Sequence, residues 1–450
     1  MQVTLVSTYD LGHQPFGLAS PARWLKRAGA KVHCVDLAVR PFTTATSILA
    51  QARLIALYVP MHTATRLAIE AIQRIKRLNP AAHLCAYGLY APLNADYLQE
   101  VGVQTILGGE FEQGLVDLYH SLLAQQPIAL PAVSLARQQF QVPDRSDLPP
   151  LAEYTQVHVG QGKARLAGYT EASRGCKHTC RHCPIVPVYN GRFRIIQQEI
   201  VLADIQQQVA AGARHITFGD PDFFNGPGHA IPLLETLHQE HPDMTYDVTI
   251  KIEHLLKYKH FLPVLRDTGC LFVTSAVEAI DDHILTMLNK GHTQADFMKV
   301  VALFREVGLV LNPTFVTFTP WTTAKSYAGL LATLDNLGLV EHVAPIQYAI
   351  RLLLPAGSKL LELAKVRELV KPFDNTALVY PWSHPDPRLD ELYERVFRLV
   401  KANQKNGESR RIHFERVWQA AADLLSPEDV PVRSGLVADV VVPTLSESWY

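Results

Sequence analysis

The feature that most restricts this chain is an alternation of short apolar runs with amphipathic segments, repeated twice and broken once by a proline-rich stretch. In the first series, residues 3–7, 31–37, 54–59, 83–87 and 105–107 are apolar runs too short for helices. Helical segments lie between them. One starts near Thr63, carries Ile69, Ile72 and Ile75 on a single stripe and ends at Asn79-Pro80. Another is expected to start at Ser20 as its cap, with Pro21 at the first helical position and Gly29 near its end. Strands separated by helices need crossover connections, so residues 1–125 predict a doubly wound parallel sheet of Rossmann-like type. Ligands of such sheets gather at the carboxyl ends of strands, here the loops after Ser7, Val59 and Gly88.

Residues 126–164 read as a linker, because Pro127, Pro131, Pro143, Pro149 and Pro150 exclude a helix. The second series has apolar runs at 165–171, 215–218, 245–252, 271–277, 310–317 and 346–353, with helices at 198–211 and 293–307 among the segments between them. Six strand–helix units within 165–375 fit an open, partial (β/α)6 TIM-like barrel with its chemistry at the C-terminal strand ends. Residues 376–450 change character: Leu389, Leu392, Val396, Phe397 and Val400 keep helical spacing, and a second helix is expected over 411–425, giving a small helical C-terminal region.

Composition excludes several classes. With 48% hydrophobic residues and a net charge of -1, the chain has the apolar content of a folded protein. Forty-two Lys and Arg balance 43 Asp and Glu, which gives no electrostatic case for a nucleic-acid partner. No apolar run approaches the roughly 20 residues that span a bilayer. The first residues, Met1-Gln2-Val3-Thr4-Leu5-Val6, lack a basic leader and read as a strand, so the expected location is the cytoplasm, with no membrane partner.

Of six cysteines, Cys34, Cys85 and Cys270 stand alone in apolar segments and read as small buried hydrophobes. Cys176, Cys180 and Cys183 form C-x3-C-x2-C, a spacing that random placement gives about once in a thousand such chains. They follow the first strand of the second series, at a catalytic strand end. Three thiolates in one loop can hold three irons of a [4Fe-4S] cluster and leave the fourth open, and Arg174, Lys177 and Arg181 favour thiolates and offset an anionic cluster. Two other metal readings compete: a zinc site completed by His178 or His182, and a closed electron-transfer cluster completed by Cys270. Either would make the protein a non-catalytic, metal-stabilised binding or sensor module. A trio of core cysteines without metal is the remaining reading.

C-x3-C-x2-C after the first strand of a partial barrel resembles the radical SAM superfamily. The resemblance implies that Cys176, Cys180 and Cys183 bind the cluster and that S-adenosylmethionine chelates its open iron. Reductive cleavage of the sulfonium then starts radical chemistry, with electrons from a donor such as flavodoxin or ferredoxin. It also implies that His182 lies near the adenine, that Gly219, Asp220 and Pro221 correspond to the turn holding the methionyl amino group, and that Ser275 and Glu278 hold the ribose and carboxylate. Lys251, Glu253 and Arg351 are charges in apolar strands. They are expected either to pair as structural ions or to face the cavity as catalytic candidates. Asn190-Gly191-Arg192-Phe193-Arg194 is either a cover for the cofactor or a surface turn.

The first unit resembles the cobalamin-binding-like module that precedes many radical SAM barrels, through the loop at residues 12–17, Val59-Pro60-Met61-His62-Thr63 and Gly108-Gly109-Glu110-Phe111-Glu112. A D-x-H-x-x-G signature is absent, since Asp10 and His13 stand at the wrong spacing. Cobalamin is therefore a candidate cofactor only, and cobalamin-dependent methyl transfer an alternative function. The motifs Gly219 to Pro227, Thr249 to His254, Ser275 to Glu278 and Lys290-Gly291-His292-Thr293 look like CUAEP/CCAEP-tail radical SAM proteins. A tail with cysteine pairs or selenocysteine is the expectation for that group. None stands at Leu445-Ser446-Glu447-Ser448-Trp449-Tyr450, and in-frame DNA beyond Tyr450 is the check. A tail thiol or selenol suits a soft element such as arsenic, which raises aminocarboxypropyl transfer as a further alternative. No feature identifies the substrate.

Overall fold

The computed structural model describes residues 1–160, 162–406, 409–436 and 441–446; residues 447–450, where the expected tail would begin, lie outside the described residues. The first unit is a six-stranded sheet: β1 (Gln2–Ser7), β2 (Lys31–Asp36), β3 (Leu54–Tyr58), β4 (His83–Tyr87), β5 (Thr105–Gly109) and β6 (Val133–Ser134). Its order is β2-β1-β3-β4-β5-β6 and every pairing is parallel. The order reverses between β1 and β3, so a crevice can open there at the strand ends. Separate apolar clusters cover the two faces, one built on Ile69, Ile72 and Ile75, the other on Leu18, Leu25 and Leu115. The sixth strand comes from the proline-rich stretch.

The first helix corrects the expected start at Ser20: it spans Phe16–Arg27 and keeps Pro21 in its interior. Proline removes the N–H that Gly17 O would have accepted. The Tyr87 hydroxyl replaces it, donating to Gly17 O at 2.8 Å. Gly17 itself lies against the Tyr58 ring, where a Cβ would come within 2.2 Å. Ser20, freed from capping, donates to Glu112 Oε1 at 2.7 Å.

The second sheet has the order β14-β13-β12-β11-β8-β7-β15. Its parallel part is β8 (Ala164–Thr170), β11 (His215–Phe218), β12 (Thr245–Thr249), β13 (Cys270–Glu278) and β14 (Leu311–Phe315), with β7 (Gln156–His158) and β15 (Thr444–Leu445) antiparallel beyond β8. β9 (Ser173–Gly175) and β10 (Phe193–Ile195) form a separate hairpin. The sixth expected strand is reduced to one parallel bridge, Phe318 with Arg351, preceded by a 3-10 turn over Pro345–Ala349. Pro345 brings no N–H to a ladder. The Gln347 side chain instead accepts the buried Phe315 N–H at 2.8 Å.

Helices Pro387–Asn406 and Arg410–Ala422 close this half-barrel, placing Leu389, Leu392, Val396, Val400, Phe414 and Val417 in the barrel's own core. A short antiparallel ladder, Val370 with Trp382 and Asp374 with Val379, reaches back to the first unit. There Leu378 is buried in its core, and His62 Nε2 lies 2.7 Å from Ala377 O. The ladder straps the two units together beside the barrel mouth. No helix among the described residues is long and apolar enough to cross a membrane.

Candidate active site

The cysteines lie in the loop between β9 and β10. Gly175 opens it at φ +74, and a Cβ there would meet the Tyr189 ring at 2.3 Å, so glycine is required. The loop is pinned from two sides. Asn225 Oδ1 accepts the Lys177 N–H at 3.1 Å, and Leu288 O accepts the Arg181 N–H at 2.9 Å. The Arg181 guanidinium also donates to Met287 O at 2.9 Å. Burial raises the Cys176 thiol and pushes Cys183 up to about 12, and the neighbouring cysteines act in the same direction. A bound metal acts the other way, since thiolate ligands give up their protons to it. Asn190 and Arg192 are exposed, Asn190 lies at φ 45, and Arg194 donates to Leu135 O, so this segment is the far end of the β9–β10 hairpin.

The donors of the competing metal readings do not stand together in this structure. Among the described residues, one set of three donors lies mutually within 4.8 Å: Cys176, His178 and Asp222. It includes one cysteine only, so the three thiols do not close on a single ion with His178 or His182. Cys270 begins β13, whereas Glu278 ends it at the mouth. Nine residues of strand, at about 3.3 Å each, put Cys270 at the far end of the barrel from that mouth.

Glu278 and His182, nominated from separate motifs, meet at 3.1 Å. Lys290 Nζ, buried, donates to the same Glu278 oxygen at 3.2 Å. Burial opposes the charge on Glu278, but Lys290 and then His182 outweigh it and hold the carboxyl at about 2. Glu278 has φ +69 at a register shift in β13, a strained position for a residue with a Cβ. Next to it, Ser275 Oγ is buried and unpartnered, as are His182 Nδ1 and Asn225 Nδ2. These open polar atoms suit a polar ligand bound between β11, β13 and the cysteine loop.

Gly219 packs under Tyr169, whose hydroxyl would lie 1.8 Å from a Cβ at that position. Asp220 is buried with both oxygens engaged: it accepts from Ala172 N at 2.9 Å and from the Ser173 hydroxyl at 2.5 Å. Burial raises it to about 7 against those two bonds. Its carboxyl thus joins the end of β11 to the root of the cysteine loop, and Pro221, partly buried, follows it. Lys251 and Glu253 lie 3.4 Å apart at the end of β12. Arg351 is elsewhere: it donates to Asp390 Oδ1 and Trp382 O and stacks on the Trp382 ring at 3.8 Å. It clamps the C-terminal helix and does not pair with Lys251 or Glu253.

Several residues of this region carry no strong sequence signal. Lys290 sits in a turn with no periodicity. Arg174, expected to offset the charge of a cluster, is instead buried among Glu110, Glu112 and Glu171 at 3.4, 2.7 and 2.6 Å, under the rings of Phe16, Phe111 and Phe140. Two of its three partners, Glu112 and Glu110, are 62 and 64 residues away, so only the folded chain reveals them. Tyr189 adds a bond to Glu110 at 3.1 Å. The knot ties the first unit to the cysteine loop.

Residues 170–321, which include all three cysteines, match the family model described as the radical SAM superfamily. Ribosomal protein uS12 methylthiotransferase RimO of Geobacter sulfurreducens is 27% identical over 187 residues, 38% of this chain and 41% of that one. A tRNA-2-methylthio-N(6)-dimethylallyladenosine synthase of Herpetosiphon aurantiacus is 26% identical over the same length and shares. The chain thus spans about two-fifths of these curated relatives. Among solved structures, the radical S-adenosylmethionine methyltransferase TsrM of Kitasatospora setae superposes with TM-score 0.67 at 16% identity, covering 97% of this chain and 92% of that one. OxsB, a cobalamin-dependent S-adenosylmethionine radical enzyme, gives TM-score 0.66 at 15% identity over 89% and 67%. At these identities the likeness is one of fold, the parallel N-terminal sheet and half-barrel together. Residues 170–321 of this chain are a radical SAM domain.

Proposed function

We propose that the protein is a radical SAM enzyme in which Cys176, Cys180 and Cys183 hold a [4Fe-4S] cluster. The observation that carries the reading is a loop of three thiols at the mouth of the half-barrel, with the remaining cysteines in the first sheet or at the far end of β13. The donor set fits the cluster: three thiols in one loop, with Cys176 and Cys183 each pushed up in part by a neighbouring cysteine, beside a buried lysine that offsets negative charge. When bound, the cluster supplies the electron that cleaves the sulfonium of S-adenosylmethionine and so starts radical chemistry.

The chain's own residues bind, orient and exclude water. Ser275 Oγ and His182 Nδ1 are free to bond the nucleoside, and Lys290, with Glu278, presents a fixed charge pair to the methionyl end. Asp220 acts as a positioning residue for the cysteine loop, with Gly219 and Pro221 shaping its turn. Lys251 and Glu253 face the same mouth and are the candidates for contact with the substrate. The first unit (1–125), the connecting stretch (126–164) and the helical region (376–450) enclose the barrel (165–375) and keep water from reactive intermediates. A low-potential flavodoxin or ferredoxin is the proposed electron donor, and the cytoplasm the proposed location.

Anaerobic reconstitution with reductant and S-adenosylmethionine tests this reading. Expected are about four irons and four sulfides per chain, lost in Cys176→Ala, Cys180→Ala and Cys183→Ala, with release of 5′-deoxyadenosine and methionine. Absence of iron, or a single zinc on the thiols, overturns it. Methylthioadenosine in place of 5′-deoxyadenosine assigns aminocarboxypropyl transfer instead.

Cobalamin-dependent methyl transfer is a second reading, supported by the fold shared with TsrM and OxsB. At the switch point Ser7 Oγ and Asp10 Oδ2 are buried and unpartnered, which suits a polar ligand group. His13 does not suit cobalt: it is buried with its ring 4.9 Å from Tyr169, inside the interface between the units. Reconstitution with hydroxocobalamin distinguishes the two, since a corrin spectrum retained after desalting favours this reading and its loss excludes it.

A further inference from the structure

The parallel strands of the half-barrel alternate in character. Ile216, Tyr246, Val248, Val273, Leu311 and Phe315 belong to the apolar core under the helices. Their sequence neighbours Thr217, Asp247, Thr274, Asn312 and Thr314 therefore stand on the opposite, inner face. That face is polar although Thr217, Asp247 and Thr274 are all buried. Asp247 is balanced there: its Oδ1 meets His215 Nε2 at 2.8 Å and the Thr217 hydroxyl at 2.7 Å. One cation at the edge of the same face has no such balance.

Arg410 opens the helix Arg410–Ala422 and is half-buried. Among the described residues no carboxylate forms an ion pair with it, and its guanidinium donates from Nη1 to Glu341 O. Burial draws it below the usual arginine range, and Tyr348 and Glu341, which act the other way, do not restore it. A cation withdrawn from water without a counter-charge is costly. A cavity of about 80 Å3 borders this guanidinium, together with Thr274, Asn312, Thr314, His342 and Gln347, and no acidic side chain borders it among the described residues. Gln347 Oε1 is taken by the Phe315 N–H at 2.8 Å, so the other end of its amide, a donor, is left over. His342 Nδ1 lies 2.8 Å from Leu311 O, and burial lowers its pKa, so the ring is neutral and the charge of the cavity is that of Arg410.

A water molecule's share of liquid volume is about 30 Å3, so this space suits roughly three waters, or one carboxylate or phosphate group. Amide and hydroxyl donors around a lone guanidinium, with no acid, select an oxyanion. The cavity also has a place relative to the mouth. Asn312 pairs with Thr274, four residues before Glu278 on β13. At about 3.3 Å per residue, that is about 13 Å along the inner face.

We propose that the Arg410 cavity is an oxyanion site that holds the terminal carboxylate or phosphate of the substrate, whose other end reaches the barrel mouth. The oxyanion site follows from the cavity alone; its assignment to the substrate rests on the radical SAM reading.

The test uses the full-length, anaerobically reconstituted protein and calorimetric titration with inorganic phosphate, acetate and gluconate at constant ionic strength. Expected is one saturable site per chain for each. Gluconate, whose hydroxyls extend along the polar face, is expected to bind more tightly than acetate and to compete with phosphate. Arg410→Gln and, independently, Asn312→Asp, which brings an acid into the cavity, are expected to weaken all three at least 10-fold with unchanged circular dichroism. Cys183→Ala is expected to lose iron and keep the site. A protein that holds about four irons and cleaves S-adenosylmethionine, yet binds none of the three anions saturably, overturns the proposal and leaves the radical SAM reading intact. Equal binding by wild type and both cavity variants also overturns it, as an adventitious ion only. Phosphate and acetate bound with gluconate excluded overturns the assignment to the substrate and leaves a site for a free anion. Binding as expected in a protein that takes up no iron supports the oxyanion site, while the radical SAM reading fails and the substrate assignment with it.

Discussion

The Glu278–Lys290 pair permits a worked prediction. A carboxyl held at about 2 instead of its ordinary 4.5 contributes about 3 kcal/mol to the folded state at neutral pH. Burial alone acts the other way, so the contribution comes from Lys290 first and His182 second. Lys290→Met keeps the length of the side chain and removes its charge. Glu278 then stays buried with a histidine alone, and its carboxyl rises above 4.5. The sign follows from proton counting. In the wild type the folded state releases the Glu278 proton more readily than the unfolded chain, so this contribution is complete above about 4.5 and is lost only as pH falls toward 2. In the variant the folded state holds the proton longer, so its stability falls as pH rises from about 5. Urea unfolding followed by circular dichroism at pH 5 to 8 is expected to show a deficit of about 3 kcal/mol at pH 7.5 that narrows toward pH 5. The double variant Glu278→Gln, Lys290→Met is expected to recover more than about 1 kcal/mol of it. A deficit below about 0.5 kcal/mol, or one independent of pH, refutes the argument.

Asp220, held at about 7 by burial against its two hydrogen bonds, keeps a proton that the unfolded chain loses near 3.8, so wild-type stability falls as pH rises between those values. Asp220→Asn is expected to flatten that slope between pH 5 and 7, read from urea midpoints. Arg174→Met strands the buried Glu110 and Glu112 and the partly buried Glu171, and is expected to cost about 3–5 kcal/mol and to reduce iron retention after gel filtration. Gly219→Ala forces a Cβ into the Tyr169 hydroxyl and is expected to lower stability by about 1–3 kcal/mol or more, measured by thermal melting. Arg351→Lys keeps the charge at Asp390 but loses the planar stack on Trp382; S-adenosylmethionine cleavage is expected to persist while the melting temperature falls.

Both parallel sheets were legible because their strands are short apolar runs punctuated by helix stops, a local signal. The errors came where a distant side chain replaced a backbone bond. Pro21 reads as a helix start until Tyr87 is seen to take the orphaned Gly17 carbonyl. Residues 346–353 read as a strand until Gln347 is seen to satisfy Phe315. In the site, the cysteine spacing and the strand-end positions of Ser275 and Glu278 could be read from order alone. The meeting of His182 with Glu278, 96 residues apart, could not, and neither could Lys290 as their shared partner. Arg351 misled for a related reason: a charge in an apolar run marks burial beside a partner, and that partner lies on a helix 39 residues later.

The same observation bears on how the two units act together. Arg174 stands two residues before Cys176, and two of its three carboxylates belong to the first unit. A rigid attachment there makes the geometry of the cysteine loop depend on the strand ends of the N-terminal sheet, where ligands of such sheets bind. Tyr189, at the other end of the loop, bonds the same Glu110. The loop is therefore held at both ends by one glutamate pair. Any ligand that shifts residues 110–112 must move the thiols as well, or else break a buried ion pair. Glu110→Gln is the mildest way to loosen this coupling. It keeps an acceptor for Tyr189 and removes one charge from Arg174, which keeps Glu112 and Glu171. The expected outcome is a folded protein with a broadened cluster EPR signal. An unchanged signal would leave the knot as a fastening without influence on the site.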